Sequence, residues 1–469
     1  MMNLEQIVKK YLPKYNFNGI TLNEANVRVL LSMENSSDNI FFTGNAGTGK
    51  STILQLFKKF TTKHTVFLAP TGIAAVNIGG QTIHSFFGFP PKPLLVELIP
   101  IRISDDKLRS LKWVDTIVID EISMCRVDML EAIDYYLRLH LNSTKPFAGK
   151  QMVLVGDMDQ LPPVIGSNAD REMIEHRFSS PYFFDSTAFV SANFKYHKLT
   201  EIYRQDDRKF TDLLDKMKTA QIKQADIEFI NDNCYNRDIN DTIVICSTNS
   251  IQQMINKEKI SEINKPVFTY EADITGNFNL NNTIFEKTFS LKIGCSVMCL
   301  VNVTGTSIMN GSIGTVVDLK NDSIVVKFGK HGNYTFGRVS LSAIKYEYDR
   351  QKSLLSEEEI GTICQFPLKP AYAITIHKSQ GQTFDSVTID LGDGSFQPGM
   401  TYVAFSRCKS FDKIKLTKKL SSKDFMYDKR ILKFNKTVAE SVQSDFYLED
   451  IEEIENIKME NKLEEWISQ

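Results

Sequence analysis

Four stretches of this chain carry residue types and spacings that can do chemistry. The first is Gly44-Asn45-Ala46-Gly47-Thr48-Gly49-Lys50-Ser51, which fits the G-x-x-x-x-G-K-[ST] phosphate loop. Glycines let consecutive backbone N–H groups turn inward around a phosphate. The run 52–57 that follows has a helical pattern and would offer its positive N-terminal end to the same anion. Lys50 would reach the β- and γ-phosphates, and Ser51 would help to hold Mg²⁺. Gly44, Ala46, Gly47, Thr48, Gly49 and Thr52 complete the expected cradle. A flexible glycine turn is the bland alternative, and the apolar run before the loop and the helical run after it argue against that.

The second stretch is the carboxylate pair Asp120-Glu121, which ends the apolar run Thr116-Ile117-Val118-Ile119. Open parallel sheets bind ligands at the C-terminal ends of their strands. There Asp120 would coordinate Mg²⁺, and Glu121 would orient and deprotonate an attacking water. The third is Gln160, which follows another buried run, Gln151-Met152-Val153-Leu154-Val155, and whose amide could sense a γ-phosphate. The fourth is Gln81-Thr82-Ile83-His84-Ser85-Phe86-Phe87-Gly88-Phe89. Its phenylalanines suit stacking on unpaired bases, with ordinary core packing as the alternative.

These groups need a scaffold of buried strands alternating with helices. Ile40-Phe41-Phe42, Val66-Phe67-Leu68-Ala69, 116–119 and 151–155 are short apolar runs typical of a parallel sheet covered on both faces. Asn23 is placed to cap a helix with Val27, Val29 and Leu30 on its apolar face. After residue 190 a second α/β pattern begins without a phosphate loop of its own, with Ile243-Val244-Ile245-Cys246 as a strand. From 286 to 361 short alternating strands with glycine turns suggest a small β-barrel. The α/β pattern resumes at Ala371-Tyr372-Ala373-Ile374-Thr375-Ile376-His377-Lys378-Ser379-Gln380-Gly381-Gln382-Thr383. The expected architecture is therefore α/β, with an N-terminal arm (1–20), a nucleotide-binding domain (21–190), a second domain (191–285 and 362–430), an inserted barrel (286–361) and an acidic helical tail (431–469).

Composition agrees with such a protein. The 469 residues are 42% apolar and 24% charged, ordinary for a globular chain of several domains. No stretch approaches a membrane span, and the N-terminus lacks the apolar core of a signal peptide, so an intracellular protein without membrane partners is expected. The seven cysteines form no C-x-x-C pair and suit reduced core positions. The net charge is −2, but residues 445–469 hold nine acids and two lysines, leaving the rest formally +5. A polyanion would thus be gripped by a local groove, not by a global field. The tail places Leu448, Ile451, Ile454, Leu463, Trp466 and Ile467 at near-helical spacing, as in an amphipathic docking helix or a solvated tail.

Read together, FFTGNAGTGKS, APTGIAA, TIHSFFGF, IDEISM, GDMDQLPPV, LTEIYRQ, AITIHKSQGQT and VAFSRC resemble the ordered motif set of superfamily-one helicases of the 5′-to-3′ branch. The resemblance is greatest to the petite-integration-frequency (Pif) DNA helicase family, over residues 22–416. Glu121 to Met124, with Asp128, Leu130, Ile133 and Asp134, are similar to that family's signature helix. The resemblance implies two RecA-like domains that close on ATP with Mg²⁺, and a barrel inserted in the second. It implies that Arg204 and Arg407 reach the γ-phosphate and that the backbone of Gly381 senses it. It places Thr71, His84, Phe86, His377 and Lys378 along a single-strand channel. The family carries glutamine in its adenine-reading motif, and the matching position here is Asn26, one methylene shorter, so relaxed base selectivity is expected.

The implied function is an ATP-driven motor that moves 5′ to 3′ on single-stranded DNA and unwinds duplex, in replication, repair or recombination. G-quadruplexes and RNA–DNA hybrids are further candidate substrates. Forked duplex is an expected partner, with the protein a monomer, or a dimer on DNA, in a bacterial or viral cytoplasm. Two alternatives stay open: a RecD-type helicase, and an ATP-switched single-strand binding protein that does not unwind processively.

Overall fold

A computed structural model describes residues 16–17, 20–90, 94–99, 101–166, 168–201, 208–239, 242–276, 285–301, 303, 306, 308, 312–329, 332–349 and 354–444. The chain divides into two units. The first comprises Met1–Pro70, Asn77–Asp206 and Tyr427–Gln469, and the second Thr71–Val76 and Asp207–Met426.

In the first unit a short antiparallel pair, Asn16–Phe17 with Ile20–Thr21, precedes α1 (Glu24–Asn35), which is capped as its sequence demands: Asn23 Oδ1 accepts the Asn26 N–H at 2.9 Å. Next come β1 (Ile40–Gly44), α2 (Lys50–Phe60), β2 (Thr65–Ala69), β3 (Gln81–Thr82) and α3 (Ile83–Phe87). They are followed by β4 (Thr116–Ile119), α4 (Val127–Leu141), β5 (Gln151–Gly156) and β6 (Lys195–Leu199). All six strands are parallel, in the order β3-β2-β4-β5-β1-β6. β1, β4 and β5 are buried at every position, which is why each reads as an unbroken apolar run.

β6 corrects the expected domain boundary at 190. It pairs with β1 at the edge of the first sheet, from Ile40↔Lys195 to Gly44↔Leu199. Of its Lys-Tyr-His-Lys-Leu sequence only Leu199 is fully buried and both lysines are exposed, as an edge strand allows, so it carries no buried-strand signature.

In the second unit, β7 (Ile243–Cys246) leads into α5 (Asn249–Ser261). Antiparallel strands follow: β8 (Phe268–Glu271), β9 (Asp273–Gly276), β10 (Thr288–Leu291), β11 (Ser296–Cys299), β12 (Ile313–Leu319), β13 (Ile324–Phe328), β14 (Gly332–Phe336), β15 (Val339–Asp349), β16 (Leu354–Gln365) and β17 (Leu368–Pro370). They pair as β14-β13-β12-β11-β17, β9-β16-β15 and β8-β10. The expected antiparallel insertion is thus present, but it is wider than 286–361. β8 and β9 belong to it through long-range pairing with β10 and β16, which short strands do not announce locally. Its pairings run in linear order, and closure into a barrel stays an expectation of the sequence. The α/β pattern then resumes with β18 (Ala373–Thr375), α6 (Ile376–Ser379), β19 (Val387–Asp390), α7 (Met400–Ser406) and β20 (Ile414–Leu416). Their parallel sheet has the order β18-β7-β19-β20.

The last described helix, α8 (Lys429–Ser444), belongs to the first unit. Ile431 and Val438 are buried in the first unit's core, and Phe434 packs against it. The Phe434 ring stacks on Phe184 at 4.3 Å and meets Phe41 of β1 edge-on at 5.5 Å. The expected tail from 431 therefore begins as an integral helix. Its remainder from 445, with the amphipathic positions noted above, lies outside the described residues, as does most of the N-terminal arm. Among the described residues no helix is long and apolar enough to cross a membrane, and no group of side chains could hold a metal cluster. Six of the seven cysteines are buried, in keeping with core positions.

Candidate nucleotide-binding site

The phosphate loop leaves β1 at Gly44 and enters α2 at Lys50. A Cβ at Gly44 would stand 2.5 Å from Thr48 Oγ1 and 2.9 Å from the Leu199 carbonyl oxygen, so the turn closes only around glycine. Gly47 and Gly49 both have φ of +85°, a left-handed conformation that other residues adopt at a cost. Thr48 is buried and donates its hydroxyl to the Asn45 carbonyl at 2.9 Å, tightening the loop. The Lys50 ammonium folds back to donate to the carbonyls of Gly44 (2.6 Å) and Asn45 (3.0 Å). It thus lies against the loop that an incoming phosphate would enter. Ala46 is buried, Ser51 is exposed on the first turn of α2, and Thr52 beside it is half-buried. Asn26 is buried in the first turn of α1.

In the sheet, β1, β5 and β4 are neighbours, so their C-terminal ends lie side by side. Asp120 leaves β4 almost fully buried and accepts the Glu121 N–H at Oδ1 (2.8 Å). Burial, then repulsion from Glu121, push its carboxyl up to about 7, against the pull of that N–H and of the Lys50 charge. Glu121 holds a left-handed backbone (φ 51°, ψ 44°), which costs a non-glycine residue about 1–2 kcal/mol. Such strain is found where a side chain must be aimed. At the end of β5, Gln160 is 4% exposed. Its Nε2 donates to Asp157 Oδ2 at 3.1 Å, and its Oε1 is buried with no hydrogen-bond partner among the described residues. A buried, unmatched acceptor costs about 1–3 kcal/mol and marks a place for a water or ligand donor.

In the second unit, Gly381 is exposed with φ +75° in the turn after α6. Arg407 is 2% exposed. Its guanidinium donates to the carbonyls of Val403 (3.0 Å), Gln382 (3.2 Å) and Ser379 (3.4 Å), bracketing the Gly381 turn. His377 exchanges a hydrogen bond with Gln397 at 3.0 Å, and burial holds its imidazole below the ordinary pKa. Lys378 next to it is half-buried. Thr71, grouped with this unit, accepts the Ala74 N–H at Oγ1 (3.3 Å). Arg204 lies outside the described residues.

The aromatic segment divides. Phe87 and Phe89 are core residues, stacked at 5.2 Å and edge-on to Tyr136, so for these two rings the core-packing alternative holds. Phe86 is half-buried, with the Lys107 ammonium 3.8 Å from its ring centroid. His84 is half-buried on α3, and burial lowers its pKa.

Sequence reasoning missed several residues. Asp157, 3% exposed, organises the Gln160 turn, and only its place at a strand end hinted at it. Arg126 forms a bidentate pair with the fully buried Asp128 (2.9 and 2.6 Å) and reaches Asp170 at 2.8 Å, while Asp128 also accepts the Leu94 N–H. The acidic position of the signature helix is therefore a structural anchor. Lys369 on β17 is 6% exposed and donates to Gln252 at 3.1 Å. Burial and the neighbouring Lys378 bring its ammonium down to about 7. A lone lysine in an apolar strand was the available signal.

Three comparisons bear on these sites. The family model for PIF1-like helicases matches residues 23–228. The ATP-dependent DNA helicase Pif1 of Bdellovibrio bacteriovorus is 32% identical over 81% of this chain and 84% of its own length. Some longer relatives are matched over 61% of their own length. Among solved structures, one that addresses DNA unwinding at forked duplex by two coordinating Pif1 helicases has a TM-score of 0.81 at 32% identity, covering 90% of this chain and 98% of that one. A Bacteroides Pif1 helicase in complex with ADP-AlF3 and single-stranded DNA has a TM-score of 0.80 at 32% identity, with the same coverage.

Proposed function

This chain belongs to the Pif1-like helicase family, and on that premise we propose that it is an ATP-dependent DNA helicase that moves 5′ to 3′ on single-stranded DNA and unwinds duplex. The observation that carries the ATPase half is the adjacent C-terminal ends of β4, β5 and β1. They bring the buried Asp120 with the half-buried Glu121 beside it, an unmatched amide oxygen and a glycine loop whose Gly44 leaves no room for a Cβ to one edge of one sheet.

Each group has a role there. The loop N–H groups and the α2 N-terminus hold phosphate oxygens. Lys50 exchanges its two carbonyl partners for the β- and γ-phosphates. Ser51 and Asp120 are the oxygen donors suited to Mg²⁺, which when bound neutralises phosphate charge. Glu121 takes a proton from the attacking water, and Gln160 Oε1 accepts a hydrogen bond from that water, orienting it. Arg407 and Arg204 disperse transition-state charge, an effect on the order of 10³–10⁵ in rate. Asn26 faces the base with a shorter amide than the family's glutamine.

For the strand, Thr71, His84, Phe86, His377 and Lys378 are the proposed contacts. Single-stranded and forked DNA are the proposed substrates, consistent with the relatives' complexes. The protein acts as a monomer or as a dimer on DNA. ATP hydrolysis measured with and without a single-stranded oligonucleotide tests this reading. DNA should raise the rate severalfold, whereas a DNA-independent rate would favour an ATP-switched binding protein.

A further inference from the structure

The turn that carries Gln160 is held from two sides. From within, Asp157 accepts the Asp159 N–H at Oδ1 (3.2 Å) and the Gln160 side chain at Oδ2 (3.1 Å), and its carbonyl accepts the Gln160 N–H at 3.1 Å. From outside, Asn435 on α8 donates its Nδ2 to Asp159 Oδ1 at 2.8 Å, across 276 residues of sequence. α8 does not depend on that contact for docking. Ile431 and Val438 are buried, Phe434 sits among Phe41, Phe183, Phe184, Phe189 and Tyr196, and the Tyr182 hydroxyl donates to Asp428 at 2.7 Å.

We propose that Asn435 is a positioning residue for ATP hydrolysis. By fixing the Asp159 side chain it sets the 157–160 turn, and with it the direction of the Gln160 amide. The Gln160 Nε2 is committed to Asp157, so the aim of the unmatched Oε1 follows the turn. A reacting group displaced by about 1 Å can lose on the order of 10²-fold in rate. α8 starts at Lys429, three residues after Met426, the last residue of the second unit. The stretch of chain that follows that unit therefore contacts, through Asn435, the turn assigned to the γ-phosphate. The proposal rests on the reading of this chain as an ATPase.

The test compares Asn435→Ala and the exchange variant Asn435→Asp/Asp159→Asn with the unaltered protein, each carrying the full chain. The readouts are kcat and KM for ATP with single-stranded DNA, thermal melting, and retention of ADP with and without aluminium fluoride. Asn435→Ala should lower kcat about tenfold and weaken aluminium fluoride-dependent ADP retention. KM and the melting temperature should stay near those of the parent, and the exchange variant, which restores a donor–acceptor pair, should recover most of kcat. An unchanged kcat in folded Asn435→Ala overturns the proposal. So does a loss of kcat that tracks a lower melting temperature and that the exchange variant does not restore. An unaltered protein that fails to hydrolyse ATP at all refutes the underlying function instead, and that arm keeps the two failures apart.

Discussion

Lys50 donates to two loop carbonyls, and its removal would deprive a bound nucleotide of its main cation. Lys50→Ala should therefore abolish ATP hydrolysis while the melting temperature changes by only a few degrees, as steady-state kinetics and calorimetry would show. Asp120 supplies a pH signature. Its carboxyl is raised from an ordinary 3.8 to about 7, so the fold favours the neutral acid. That contribution is complete below the ordinary value and is lost as pH climbs through about 7. Without Mg²⁺ the protein should melt at a lower temperature at about pH 8 than at about pH 6. Asp120→Asn should flatten that dependence, and added Mg²⁺ should raise the melting temperature more at the higher pH. At this scale the phosphate loop and the Asp120–Glu121 pair were legible because their chemistry is local in sequence. Asn435 was not, since only the fold brings it to Asp159.

Among the elements, α8 departs furthest from its sequence appearance. The sequence placed it at the start of an acidic helical tail (431–469), yet one face carries Ile431, Phe434 and Val438 into the first unit's core. Phe434→Ala should destabilise that unit by about 3 kcal/mol, read as a lower denaturant midpoint with little change in slope. An unchanged midpoint would mean that the helix is dispensable for folding. The buried strands were easy to find because a sheet covered on both faces requires unbroken apolar runs. β6, β8 and β9 were misplaced because an edge strand, or a four-residue strand in an antiparallel insertion, is defined by its partner. The Phe87 and Phe89 rings stayed open between two readings for a related reason: the same aromatic residues serve a core or a base stack, and only burial tells which.

At the scale of the molecule, the formal charge of −2 gives no global attraction for nucleic acid, so strand binding must come from local contacts. Membership of the Pif1-like helicase family and two parallel-sheet units, one carrying the phosphate loop, point to a motor that couples ATP hydrolysis to movement along DNA. Direction is the part of that account which neither composition nor fold dictates. Strand displacement from duplexes carrying either a 5′ or a 3′ single-stranded tail, with ATP and Mg²⁺, tests it most directly. Unwinding of the 5′-tailed duplex, absent in Lys50→Ala, is the predicted result, and unwinding only from the 3′ tail would contradict it.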